Sequence, residues 1–479
     1  MAYISETQQA ILKVNVGRIK EDSTLIRGVI LRDKSSEAKS EMRNGVNYYD
    51  GKHDILSRDF RVYHVKKTKR INENKANNRV PNTFHTELND QKADYILAKE
   101  VAITSKNEDL DKEFSKGEFR EKFEKTLHEM CVNCSNKGIE WLHFYIDENG
   151  KFDYTIIPAE QIIPDYDESS NELISILRYY LVDYINDKGE LKQKTRVEVW
   201  DDKEITYFIE TEKGDFIKDT SIDPNPRPHW IEKRVTKKEV ISVTNKSWNA
   251  VPFIPLPNNS KKFTDLKRIK ALIDLYDLVI SGFGNDVEDM SEIIIKVKNY
   301  QGTDNEEMAQ MIRETRIIKV SGDGDAEALT ITIPVEAKNT LLKMLKENIY
   351  IFGRGVDYSG ISLNNPTNLT LKFMFARLDL KANALITNLK TFIKSFLYYY
   401  SVYLGKERLF DASYIEITFN KSIIINEQEV IQNVVASQGL LSEETLLANH
   451  PWVKDVQVEL DRKKEEKENI VDLTKIPAM

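Results

Sequence analysis

Residues 265–290 read DLKRIKALIDLYDLVISGFGNDVEDM. Within this stretch Leu266, Ile269, Ile273, Tyr276, Ile280, Phe283, Val287 and Met290 step alternately by three and four, a sustained seven-residue apolar repeat. At 1.5 Å per residue the repeat predicts a helical rod of about 36 Å. Leu272, Leu275 and Val279 add a second apolar stripe, so the rod is expected to be contacted on two sides, as in a bundle or a ring of helices. Gly282 and Gly284 each weaken an isolated helix by about 1 kcal/mol relative to Ala and point to a close helix approach or a bend.

Downstream, residues 292–334 read as a compact insert. A strand at 293–297, a helix at 306–314, a strand at 316–320, a Gly322-Asp-Gly-Asp325 turn and a strand at 329–333 are expected. A second helix at 335–352 places Leu342, Leu345, Ile349 and Phe352 on one face. Helix, insert, helix describes a stalk carrying a tip. Residues 357–370 (DYSGISLNNPTNLT) form a polar, turn-rich loop whose one acid is Asp357 and which holds no Lys or Arg. A loop of this length between two strong helices is either functional or disordered. The longest helix follows, with Leu378, Ala382, Leu385, Leu389, Phe392, Phe396, Tyr399 and Tyr403 spaced by four and three. Beyond it come a strand near 414–420, a short helical pair at 431–447 broken at Ser437-Gln-Gly439, and a charge run at 461–468.

Upstream, 36–49 is helix-like and closed by Asp50-Gly51. Residues 66–82 are basic and Asn-rich and read as a solvated loop, with the Lys66 to Arg70 cluster able to touch nucleic acid. Helical spacing resumes at 84–101 and again at 116–136. Six β-rich runs then lie at 141–146, 154–157, 174–184, 197–200, 205–209 and 240–243. The fold class is α+β.

Composition narrows the function. Of 479 residues, 41% are hydrophobic and 30% charged, with a mean hydropathy of −0.48. No run approaches the ~18 apolar residues of a membrane span, and the start, Met1-Ala-Tyr-Ile-Ser-Glu, lacks the layout of a secretory signal. A cytoplasm-like compartment is therefore expected, in keeping with two cysteines. The net charge of −8 disfavours a tight DNA binder, whose affinity comes from Lys and Arg displacing counterions, while a protein that surrounds DNA stays allowed.

Catalytic chemistry is not legible. Cys131 and Cys134 form a CxxC with His128 and His143 nearby, but a zinc tetrahedron lacks its second pair, and two small buried side chains are the simpler account. The Gly322–Asp325 turn lacks the GK[ST] of a phosphate loop. Asp165 and Asp167 could serve as acid and base, yet an exposed acidic loop is the expectation. No metal, no cofactor and no enzymatic activity are expected.

Three groups of residues carry a resemblance. Trp248-Asn-Ala-Val-Pro-Phe-Ile-Pro-Leu-Pro-Asn-Asn259, Asp265 to Asp277 and Asn285-Asp-Val-Glu-Asp289 form the first, Tyr48-Tyr-Asp-Gly-Lys-His53 the second and Asn78-Arg-Val-Pro-Asn-Thr-Phe84 the third. Over about residues 40–425, with these groups in the same order along the chain, it resembles the portal proteins of long-tailed phages and prophages of Gram-positive bacteria. The resemblance implies the portal fold and a homo-oligomeric ring, dodecameric in the virion, at one capsid vertex. Double-stranded DNA would be packaged and ejected through it, contacting it weakly. Implied partners are the terminase large subunit, the head-to-tail adaptor and the major capsid and scaffolding proteins, with no membrane; assembly would take place in the host cytoplasm.

Mapped on this chain, the implied parts are an N-terminal segment (1–39), an α/β wing (40–263), stem helices (264–291 and 335–355), an α/β clip (292–334), a channel loop (356–370), a long helix with return strand (371–426) and a helical crown (427–479). Stem packing falls to Leu266, Ile269, Ile273, Tyr276, Ile280, Phe283, Val287, Leu342, Leu345 and Ile349. DNA-facing candidates are Asp357, Ser359, Ser362, Asn364, Asn365, Thr367 and Asn368. Clip docking candidates are Lys296, Lys298, Asn299, Tyr300 and Asp304. A structural ring of the tail or baseplate is the alternative.

Overall fold

The computed structural model describes residues 19–20, 23–65, 67–73, 75–167, 169–186, 188–235, 240–289, 294–298, 325–329, 334–360, 367–421, 427–453 and 456–473. Helices and mostly antiparallel sheets are both extensive, as an α+β class requires. The chain divides into two compact units, one of Met1–Asp33, Asn89–Phe263 and Arg354–Met479, the other of Lys34–Leu88 and Thr264–Gly353. Residues 40–88 thus share a unit with 264–353, while residues 89–263 lie in the other.

The first unit is organised by the helix Asn368–Tyr403, which buries Leu371, Phe375, Leu378, Ala382, Leu385, Leu389, Phe392 and Phe396. The stripe lies against the three-stranded sheet Phe253–Pro257, Ile139–Ile146, Phe152–Ile157 and the helix Gly117–Lys137. Aromatic rings fill the join. Phe123 stacks on Phe396 at 4.9 Å, Phe144 on Tyr399 at 4.3 Å, and Tyr154 meets Phe396 edge-on at 5.0 Å. Phe253–Pro257 occupies the sheet edge, where Pro255 and Pro257 cost no ladder hydrogen bond.

A second core in this unit packs Ile26, Val29 and Ile30 of the helix Leu25–Lys34 on Leu177, Val197, Val199 and Phe208 of a larger antiparallel sheet. That sheet runs Phe216–Lys218, Glu204–Glu210, Leu191–Trp200, Leu173–Ile185, Ile162–Tyr166. Asp165, expected on an exposed acidic loop, is instead buried in this last strand opposite Ser175, because the strand extends upstream of the turn. Asp167 makes the turn, accepting from the backbone and hydroxyls of Ser169 and Ser170, which holds its carboxyl far below the usual range.

In the second unit the helix Glu37–Tyr49 is capped by Ser36 and ends at Asp50, with Gly51 at φ +73°. Part of the predicted loop over 66–82 is strand instead: Thr68–Ile71 pairs with Val62–Val65 in a hairpin. The helix expected as the first stem helix, and called the stem helix below for that expectation, starts at Lys270, not at 264, since Leu266–Arg268 is a 3₁₀ turn; Lys270–Asp289 therefore measures about 30 Å. In the insert, Ile294–Lys298 pairs with Asp325–Leu329, a strand that begins where the sequence suggested a turn. The expected helix at 306–314 and strand at 316–320 lie outside the described residues.

Gly138 shows how tightly the first unit closes. It ends the helix Gly117–Lys137 at φ +84°, and a Cβ there would stand 2.1 Å from the carbonyl oxygen of Lys262. Gly189 has a similar φ of +76° but open space around it. Gly138→Ala is expected to lower stability by at least ~2 kcal/mol in thermal or urea denaturation, against about 1 kcal/mol for Gly189→Ala, which pays only the left-handed backbone penalty.

Candidate functional site

The stem helix presents an unexpected face. Its buried positions are Ile273, Asp277, Ser281 and Asn285, four residues apart, and all but the first are polar. Each polar side chain receives a backbone N–H from the segment that precedes the helix Phe84–Leu97. Asn82 N donates to Asp277 Oδ1 at 2.8 Å, Val80 N to Ser281 Oγ at 3.0 Å, Asn78 N to Asn285 Oδ1 at 2.6 Å and Ala76 N to Asp289 Oδ1 at 2.8 Å. Alternate residues of one segment thus meet successive turns of one helix. Pro81 falls at a position whose N–H the ladder does not use.

The upper end of the ladder is elaborated. Asp277 Oδ2 lies 2.6 Å from His53 Nδ1, both side chains being fully buried, and its Oδ1 also accepts from Asn82 Nδ2 at 2.8 Å. The His53 ring stacks on Tyr48 at 4.3 Å, and Nε2 stands 3.2 Å from the Tyr48 carbonyl oxygen. The Tyr48 hydroxyl donates to Asp274, and burial together with that carboxylate pushes its ionisation well upward. Burial alone would lower the Lys270 ammonium; Asp54 at 2.5 Å, the Tyr48 hydroxyl and Asp274 at 2.9 Å reverse the shift and hold it charged.

Of the stem residues named from the sequence, Leu266, Ile269, Ile273 and Ile349 join Tyr48, Leu88 and Tyr350 in one core, with Tyr276 packed on it. Leu342 and Leu345 are buried on the partner helix Val335–Gly353. Ile280 and Phe283 are partly covered, Lys338 lying 5.2 Å from the Phe283 ring, and Val287 is 58% exposed within the single chain. Gly282 has open space around it and Gly284 meets only Asn78 at 3.9 Å, so within the chain neither marks a close helix approach.

Around the polar loop, Asp357 accepts from Ser359 N and Oγ at 3.0 and 2.7 Å. Thr367 is the N-cap of the long helix and Asn368 its first residue, shortening the loop by three positions. The backbone N–H of Asn368 donates to Glu429 at 2.7 Å, at the rim of a cavity of about 590 Å³ between the long helix and the helices Glu427–Ala436 and Glu443–Ala448. Ser362, Asn364 and Asn365 lie outside the described residues. In the insert, Lys296 and Lys298 sit opposite Glu327 and Asp325, whereas Asn299, Tyr300 and Asp304 lie outside the described residues.

The residues with chemical potential are apart or sequestered. Burial pushes the Cys131 thiol up to about 12, and Cys134 is equally buried. Burial brings the His143 imidazole down to about 3, with Nδ1 2.8 Å from the Pro252 carbonyl oxygen. His128 is exposed beside Asp94. Among the described residues no cluster of three or more His, Cys, Asp or Glu could hold a metal ion, and no helix is long and apolar enough to cross a membrane.

Comparison with known proteins decides the family. A family model described as phage portal protein, SPP1 Gp6-like, matches residues 30–472. The chain belongs to the phage portal protein family. It is 33% identical over 454 residues to the portal protein of Bacillus phage SPP1, covering 93% of this chain and 86% of that one. To the portal protein of Clostridium phage phiCD119 it is 30% identical over 453 residues, covering 90% and 93%. A portal role in the phage head is thereby given, in a family that is structural rather than catalytic.

Four of the five stretches that carried the portal resemblance prove to be one physical assembly. Tyr48–His53, Asn78–Phe84, Asp265–Asp277 and Asn285–Asp289 all meet on the polar face of the stem helix. The fifth, Trp248–Asn259, forms a clasp elsewhere: Asn258 accepts from the buried Lys92 at 2.7 Å and donates to the Phe263 carbonyl at 3.0 Å. Truncating the ladder should be graded. Ser281→Ala removes one acceptor and is expected to cost about 1–3 kcal/mol, while Asp277→Ala also strands His53 and should cost about 3–5 kcal/mol. Denaturation midpoints with hydrogen exchange at residues 76–82 give the comparison; equal costs for both would remove the special role of Asp277.

Proposed function

We propose that the chain assembles as a closed homo-oligomeric ring, dodecameric in the virion, at one capsid vertex, and that double-stranded DNA is packaged and later ejected through its centre. The observation that carries this reading is the match to the portal family over residues 30–472, nearly the whole chain. In the same reading the insert at 292–334 docks the terminase large subunit and afterwards the head-to-tail adaptor, and the outer face meets the major capsid and scaffolding proteins. The ring performs no chemistry of its own and takes no cofactor.

Physical chemistry supports a conduit. A channel must hold DNA without braking it, and tight salt-steep binding arises when Lys and Arg neutralise many phosphates at once. The 357–370 loop carries Ser, Asn, Thr and Gly with one acid, so it meets phosphates one hydrogen bond at a time. The exposed end of the stem's apolar stripe at Val287 suits burial against a neighbouring copy, and a ring demands a head-to-tail contact that closes.

Negative-stain class averages of the purified protein should show a wide disc with a central hole and a narrow stalk; a stable monomer at high concentration would defeat the reading. Within rings, Asn364→Lys with Asn365→Lys adds two charges per copy at the loop and is expected to slow or stop packaging in an in vitro assay. Shortening the loop should let packaged DNA slip back. Normal packaging and retention by both variants would take the loop away from the constriction.

A further inference from the structure

The charge of this chain is unevenly spread. Residues 58–79 hold eight Lys or Arg against two Asp or Glu, a net +6 inside a chain of −8, which leaves −14 for the rest. The basic residues centre on the hairpin Val62–Val65 with Thr68–Ile71, whose register pairs Tyr63 with Arg70 and His64 with Lys69. Because side chains alternate along a strand, His64 and Lys69 lie on one face of the ribbon and Tyr63 and Arg70 on the other, with Lys67 at the turn at φ +68°. Lys67, Lys69 and Arg70 are exposed, and among the described residues they form no ion pair. By contrast Arg61 at the base is satisfied by Asp59 at 3.0 Å.

The ribbon stands on a firm base. Phe60 N donates to Asn77 Oδ1 and Asn72 N to the Arg61 carbonyl, each at 3.0 Å, and Ala76 is the first rung of the ladder to the stem helix. A two-stranded antiparallel ribbon is the size that the major groove of B-DNA admits, where phosphates line both walls. Cations on both faces and at the tip match a partner that surrounds the ribbon, whereas a flat acidic protein surface reaches one face only. We infer that the hairpin Val62–Ile71 is a contact surface for double-stranded DNA, separate from the channel loop, which engages phosphates through Lys67, Lys69 and Arg70. The choice of DNA as the polyanion rests on the portal reading; the presence of a polyanion site rests on the hairpin.

The test is fluorescence anisotropy of a labelled 20-base-pair duplex with the full-length protein between 50 and 200 mM salt. The parent is expected to bind at 50 mM, and Lys67→Ala/Lys69→Ala/Arg70→Ala to bind at least tenfold more weakly. The slope of log affinity against log salt should fall by about three, near one for each phosphate that is no longer neutralised. Lys67→Arg/Lys69→Arg should retain binding, which separates charge from folding. A parent that does not bind duplex at 50 mM, or a triple variant with unchanged affinity and slope, overturns the inference. So does poly-L-glutamate of equal total charge binding the parent better than duplex, which would point to an acidic protein instead. Negative-stain images of the same samples keep the two readings apart: rings without hairpin-dependent DNA binding defeat only this inference, and hairpin-dependent binding without rings defeats only the portal assembly.

Discussion

Two periods that nearly coincide hold the stem unit together. Four residues of α-helix advance about 6.0 Å, and two residues of extended chain advance about 6.2–6.8 Å. A side-chain acceptor at every fourth helix position can therefore meet every second N–H of a strand laid alongside it. The positions 277, 281, 285 and 289 against 82, 80, 78 and 76 do so over four rungs. Six strand residues cover the roughly 18 Å of twelve helix residues, about 3.0 Å each, so the strap is stretched along its whole length. No sheet pairs the amide hydrogens of this segment, so the helix acceptors are their partners; leaving a buried donor unpaired costs about 1–3 kcal/mol. The acceptors differ in kind: carboxylates of Asp277 and Asp289 stand at the ends, the first against His53, and neutral Ser281 and Asn285 fill the middle.

This arrangement explains why the sequence is legible in part. Apolar spacing locates the stem, the second helix and the long helix, and the burial of Leu266, Ile273, Leu345, Leu385 and Phe396 follows from it. It does not see the polar face, because Asp, Ser and Asn at four-residue intervals read as a solvated stripe whenever hydrophobicity is the signal. The clue is present as Asp277, Ser281, Asn285 and Asp289 beside an Asn-rich, Pro-containing segment, and only the match of the two periods makes it meaningful. The true helix start escapes for a related reason: Leu266 and Ile269 keep heptad spacing although Leu266 lies in a 3₁₀ turn and Ile269 follows as its cap. The family resemblance picks out these same stretches without a physical cause for them.

The first unit depends on a different constraint. One helix of 36 residues, about 54 Å long, runs from the polar loop to the aromatic cluster of Phe396, Tyr399 and Tyr400. Its middle is clamped in the largest apolar core, so the helix behaves as a rigid spacer whose first residue is placed by packing far away. Sequence periodicity recovers this helix nearly whole because each buried position it marks there is apolar. What periodicity does not recover is the polar stitching at its flanks, such as Tyr95 and Lys421 on Asp379 or Asn388 on the Pro257 carbonyl, which joins residues far apart in the chain.

The rigid spacer gives the loop before it a particular mechanical setting. At the loop's far end Thr367 caps the helix, and Glu429 accepts the next free N–H, so the helix start is held by a carboxylate from the C-terminal helices as well as by its own cap. A negative group at a helix N-terminus is favoured by the aligned peptide dipoles. At the near end Val356 is buried, its N–H donating to Gln91 Oε1 at 2.7 Å and its carbonyl accepting from Gln91 Nε2 at 2.9 Å. One glutamine amide therefore grips both polar groups of a single residue. Both ends of the loop are thus fastened by hydrogen bonds to distant parts of the chain, Gln91 on one side and Glu429 on the other, and the ten residues between Val356 and Thr367 carry one acid, Asp357, and no Lys or Arg.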